Sequence, residues 1–113
     1  MSRTPKGRDN MVVGVCQISL SLPGVSSLKA KRSIVRKVLD RTSNRFNVAA
    51  AEVGLQDTHR QAVLGFAVVS SDRRHANAML DSIASFVEGA GEAVVMNRST
   101  ELVSVGELQG WAG

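Results

Sequence analysis

Residues 46–70 read FNVAAAEVGLQDTHRQAVLGFAVVS, and the fold turns on how the polar residues in the middle are interpreted. From Phe46 to Leu55, the residues Phe46, Val48 and Ala50 alternate with Asn47, Ala49, Ala51 and Val53. From Ala62 to Ser70, Leu64, Phe66 and Val68 alternate with Val63, Gly65, Ala67 and Val69. A period of two over runs of this length is the signature of β-strands. The link Gln56-Asp57-Thr58-His59-Arg60 is too short for a crossover, so the two runs predict an antiparallel hairpin.

Outward from this hairpin, the period changes on both sides. Upstream, Ser26 to Arg45 reads SSLKAKRSIVRKVLDRTSNR. Leu28, Val35, Val38, Leu39 and Thr42 fall at helical spacing on one side, with Lys29, Arg32, Ser33, Arg36, Lys37 and Asp40 on the other. Ser27 is a favourable N-cap and nothing breaks the segment after it, which predicts an amphipathic helix from about Leu28 to Ser43. Before it, Met11 to Leu22 alternates as a long strand with Val12, Gly14, Cys16, Ile18, Leu20 and Leu22 on one side, and Pro23-Gly24 ends it. Downstream, Ser71 or Asp72 caps a second helix with Ala76, Met79, Leu80, Ile83 and Val87 as its buried stripe and Gly89 as its stop. Glu92 to about Val105 returns to strand character.

The predicted order is strand, helix, strand, strand, helix, strand. With right-handed crossovers this is the α+β ferredoxin-like βαββαβ two-layer sandwich, a four-stranded antiparallel sheet with both helices on one face. The domain is expected over residues 11–105, preceded by a flexible basic leader at 1–10 and followed by a loose tail at 106–113 that carries Trp111. If Cys16, Ile18, Leu64, Phe66 and Val68 face the helices, the other face of the sheet carries Val13, Val15, Ala49, Ala51, Val53, Val63, Ala67 and Val69. An apolar sheet face of that extent is normally covered by another subunit. A homodimer is therefore expected, with Val13, Val15, Ala49, Ala51, Val63 and Ala67 at its interface. The competing reading is that these small residues make the face only mildly apolar.

Charge is unevenly distributed. Lys29, Lys31, Arg32, Arg36, Lys37, Arg41 and Arg45 stand against the single acid Asp40 in the first helix, a local net charge of +6 where the 113-residue chain carries +4. The rest of the chain is slightly acidic. A cationic helix face is either merely solvated or directed at a polyanion. The directed reading names Lys29, Lys31, Arg32, Arg36, Lys37 and Arg41 as phosphate contacts to structured RNA or a ribosomal surface. Lys31 ranks below Arg32, Arg36 and Lys37, because it lies close to the buried stripe and is expected to snorkel its ammonium outward from an apolar stem. Base stacking on the sheet is excluded: the chain has three Phe, one Trp and no Tyr, and the open face carries Val and Ala.

Catalysis finds little support, and no enzyme is expected. Cys16 is alone and mid-strand, so no internal disulfide or cysteine metal site is available. His59 and His75 lie in a loop and in a first helical turn, with no nucleophile paired to them. The nearest approach to an acid–base cluster, Glu52 and Asp57 with His59 and His75, reads more simply as a salt-linked turn. Two isolated histidines do not make a metal site, and glycine-rich phosphate loops are absent, so no cofactor is expected. The apolar runs are too short to span a bilayer and the first ten residues lack a signal-peptide core, so the expected location is cytoplasmic. The alternative function is a non-catalytic regulatory module that binds a small ligand or protein as a sheet-mediated dimer.

Several segments resemble the YlxP-like family of small bacterial proteins: MVVGVCQISLSLPG, SSLKAKRSIVRKVLDR, RFNVAAAEVG, QAVLGFAVVSSDRRHA and the STEL near residue 100, with Ser27-Leu28-Lys29-Ala30-Lys31-Arg32 the most specific block. The likeness covers roughly residues 11–103. It implies a ferredoxin-like fold, and through the translation and ribosome-maturation genes beside which members are often encoded, a link to RNA. It supplies no catalytic residues. His59 and Gln61 depart from the Trp and Arg that the resemblance leads one to expect there.

Overall fold

The computed structural model describes residues 11–91 and 93–105; the expected leader, the tail and Trp111 lie outside the described residues. The elements are β1 (Val12–Ser21), α1 (Leu28–Arg45), β2 (Ala49–Gly54), β3 (Gln61–Ser70), α2 (Arg73–Glu88) and β4 (Val94–Ser104). The four strands form one sheet in the order β2-β3-β1-β4, and every neighbouring pair is antiparallel. This is the ferredoxin-like sandwich. The short hairpin sets β3 beside β2, and each helix returns the chain across one face of the sheet.

The core lies between sheet and helices. Cys16, Ile18 and Leu20 of β1 and Leu64, Phe66 and Val68 of β3 are buried against it. Each helix contributes a stripe of the same spacing: Lys31, Val35, Val38 and Thr42 from α1, and Ala76, Leu80, Ile83 and Val87 from α2. The α2 stripe is wholly apolar, whereas the α1 stripe is polar at both ends. Thr42 satisfies its hydroxyl by donating to the Val38 carbonyl at 2.7 Å.

The helix ends follow their caps. Ser27 accepts from the Ala30 amide at 3.1 Å, and Asp72, the cap of α2, accepts from the Arg74 amide at 2.9 Å. Gly89 closes α2 without entering the left-handed region, its N–H donating to Ser85 O while the Ala90 N–H donates to Val87 O. β2 begins later than the alternation suggests, because Phe46 belongs to the helix terminus: its N–H donates to Thr42 O at 2.9 Å. Gly14 has a packing reason. A Cβ there would lie 2.9 Å from Leu80 Cδ1 and 3.0 Å from Leu102 Cδ2, so its absence lets α2 settle on β1.

Lys31 corrects the sequence reading. Its side chain is fully buried, and its ammonium points inward. Nζ donates to Leu55 O at 2.5 Å and to Thr58 O at 2.6 Å. Glu52 Oε2 lies 2.9 Å away, as an ion-pair contact rather than a well-angled hydrogen bond. An ammonium has three donors and no acceptor; two loop carbonyls take two of them, and the carboxylate balances the charge. Snorkelling fails because the hairpin loop closes over the end of the stem. Leu55, whose carbonyl accepts from Nζ, stands at a φ of 56°, a left-handed conformation uncommon for a leucine.

Two outcomes follow for stability. Breaking one side of a buried ion pair costs about 3–5 kcal/mol, so Lys31→Met and Glu52→Leu should each lower the urea midpoint sharply. In the double variant their effects should fall short of the sum by about 1–3 kcal/mol; strict additivity would show that the two do not interact. Gly14→Ala should destabilise by about 1–3 kcal/mol through overpacking against Leu80, read in the same unfolding experiment.

Candidate nucleic-acid interface

With Lys31 committed to the interior, the rotation of α1 is set, and five of the six expected contacts face outward. Lys29, Arg32, Arg36, Lys37 and Arg41 are all exposed. They line a shallow open groove of about 530 Å³ that runs along the helix, together with Ser33, Asp40 and Asn44. Asp40, the acid on this face, sits four residues from Arg36 and three from Lys37. Even so, among the described residues no carboxylate comes within 4.0 Å of any of the five cations; the ion pairs there are Lys31–Glu52 and Arg98–Asp81.

This arrangement works against the helix that carries it. Lys29–Arg32, Arg32–Arg36 and Lys37–Arg41 are like-charge neighbours at i,i+3 or i,i+4, each unfavourable by about 0.2–0.5 kcal/mol. The first turn holds no acid, so Lys29 stands at the positive end of the helix dipole, where a cation is disfavoured. A face that served solubility alone would do better with mixed signs.

Arg45, at the C-terminal end of the helix, leaves the row of cations. Its guanidinium lies 5.6 Å from the Phe86 ring centroid and 6.0 Å from that of Phe46, and the two rings meet edge to face at 5.6 Å. A second exposed cation is likewise engaged: Arg98 of β4 donates to Asp81 of α2, and that hydrogen bond raises the guanidinium above its ordinary value. Neither pairing was legible beforehand, because each depends on where α2 lies relative to α1 and β4.

The remaining candidates are dispersed. Cys16 is buried in β1, His75 is exposed on α2, and His59 is half-buried in the β2–β3 loop. Glu52, grouped with the histidines in the sequence reading, is taken by Lys31. Its position was visible in part, since it shares the inward parity of Ala50. Among the described residues no three His, Cys, Asp or Glu side chains gather as a metal site would require, and no helix is long and apolar enough to cross a membrane. Val13, Val15, Ala49, Ala51, Val63 and Ala67 all lie on the sheet face opposite the helices, and each is exposed or half-buried in the single chain.

Among solved structures, the chain is similar to a C-terminal segment of the alpha subunit of aIF2 from Pyrococcus abyssi, at 15% identity and a TM-score of 0.44 over 83% of this chain; it spans 50% of that structure's length. It is similar to the de novo designed protein Foldit4 at 12% identity and a TM-score of 0.45, over 83% of this chain and 94% of that one. These are likenesses of fold and carry nothing about activity. Sequence similarity is stronger. The uncharacterized protein YlxP of Bacillus subtilis (strain 168) is 32% identical over 81 residues, which is 72% of this chain and 88% of that protein. The family described as "Protein of unknown function (DUF503)" matches residues 13–100. From Val13 in β1 to Thr100 in β4, then, the chain belongs to the DUF503 family, in which it is YlxP-like.

Proposed function

We propose that the protein is a non-catalytic, cytoplasmic binding protein that contacts structured RNA, such as a ribosomal surface, through the outward face of α1. The observation that carries this reading is the row of Lys29, Arg32, Arg36, Lys37 and Arg41, exposed and without a carboxylate within 4.0 Å among the described residues. An unneutralised row at helical spacing attracts a polyanion, and the like-charge strain within it is relieved when phosphates arrive. Among the described residues the open sheet face carries no aromatic side chain, which supports the helix as the contact. Such contacts supply affinity and orientation, with little sequence discrimination. That favours a partner recognised by shape over a short single-stranded motif.

Fluorescence anisotropy with a labelled ribosomal RNA hairpin tests this. About four phosphate contacts predict that affinity falls roughly a hundredfold between about 50 mM and 200 mM salt. Arg32→Glu, Arg36→Glu and Lys37→Glu combined should abolish binding and leave the melting transition cooperative. Binding that ignores both salt and the three reversals would contradict the proposal.

A further inference from the structure

The open face of the sheet is built in rows that the strand register defines. One row is Val69–Val13–Val103, the next Ala49–Ala67–Val15–Glu101, and the next Ala51–Gly65–Gln17–Ser99. The first row stands proud, with Val69 64% and Val103 48% exposed. The following rows are floored by small residues and outline a shallow, open hollow of about 380 Å³, lined in part by Val15, Ala49, Ala51, Gly65 and Ala67. Val53 leans over one end of it, close enough that a Cβ on Gly65 would meet Val53 Cγ1 at 2.9 Å.

A valine ridge and a small-residue hollow side by side on one surface are what a two-fold contact requires, since each copy must supply both knob and hole. Strands of 10, 6, 10 and 11 residues side by side give a flat footprint of about 600 Å² from the strand rise and spacing. That is of the same order as the roughly 800 Å² per partner that stable complexes bury. Glu101 is the one ionisable side chain in these three rows. It lies on β4, an edge strand, where a rim charge stays in water. With neither a cation nor an aromatic ring in these rows, the face is unsuited to RNA.

We infer that this face pairs with the same face of a second copy, giving an α-β-β-α dimer whose two cationic helices lie on opposite outer surfaces, so that the dimer holds two separate RNA segments. Only the RNA half rests on the function proposed above. Sheets pack about 10 Å apart and each helix layer adds about 10 Å, which sets the two α1 axes about 30 Å apart with the sheets between them. The two cationic rows therefore face away from each other and bridge; they do not lengthen a single contact.

Light scattering on the purified chain should give twice the 12.0 kDa chain mass, and Ala67→Arg and Val15→Arg, tested separately, should each return a folded monomer by circular dichroism. Two RNA hairpins carrying donor and acceptor dyes should then show energy transfer with the wild type. With Ala67→Arg each hairpin should still bind, without transfer. A monomeric wild type, or a dimer that survives both arginine variants, overturns the contact. A dimer that binds both hairpins without transfer overturns the separation of about 30 Å between the two helices. A dimer that binds no RNA upholds the sheet contact and overturns the RNA reading.

Discussion

The enclosure of the Lys31 ammonium by Glu52 and the carbonyls of Leu55 and Thr58 is the contact on which the rest of the layout depends. The fully buried stripe of α1 has hydrophobic residues only at Val35 and Val38, with Ile34 and Leu39 half-buried against the core beside them. An ion pair with directional hydrogen bonds fixes the rotation of the helix, because a small turn of α1 would strand a buried charge. The lysine ties the first helix to the β2–β3 loop, 24 and 27 residues away in sequence. In doing so it determines which of the other cations face water.

Three of the described cations are held by partners within the fold and five share the outer face of α1, while Arg60, Arg73 and Arg74 are exposed elsewhere, Arg73 donating to Ser104 Oγ. Lys31, Arg45 and Arg98 are engaged by a carboxylate or by aromatic rings. Lys29, Arg32, Arg36, Lys37 and Arg41 remain as one exposed row. The two helices divide the labour of the sandwich: α2, with its continuous apolar stripe, seals β1 and β3, while α1 gives up part of its packing to hold a charged surface in place. The open side of the sheet carries a single ionisable side chain, Glu101, in the rows through Val13, Val15 and Gln17, and is the face proposed to meet a second copy.

Much of the architecture was readable because parity is a strict rule in strands. Cys16, Ile18, Leu64, Phe66 and Val68 could only share a face, and the short link between β2 and β3 left little choice of topology. Errors arose where two rules competed at one residue. Phe46 continues the alternation of β2, yet its amide serves as the C-cap of α1, and the hydrogen bond to Thr42 prevailed. Lys31 lies at the margin of the helical stripe, where a long cationic side chain turns either way. Its direction was decided by a carboxylate and two carbonyls from a distant loop, which no local pattern contains. Arg45 against Phe86 and Arg98 against Asp81 were hidden for the same reason: each joins elements whose relative placement exists only after folding.

The central claim is that the outward face of α1 is the surface that meets a polyanion. Backbone amide NMR of the 12.0 kDa chain, titrated with a structured RNA hairpin, addresses it residue by residue. The account predicts that the shifted resonances cluster at Lys29, Arg32, Arg36, Lys37 and Arg41, while Val15, Ala51 and Gly65 on the open sheet stay where they were. Perturbations centred on the sheet face or on α2, with the amides of α1 unmoved, would contradict it.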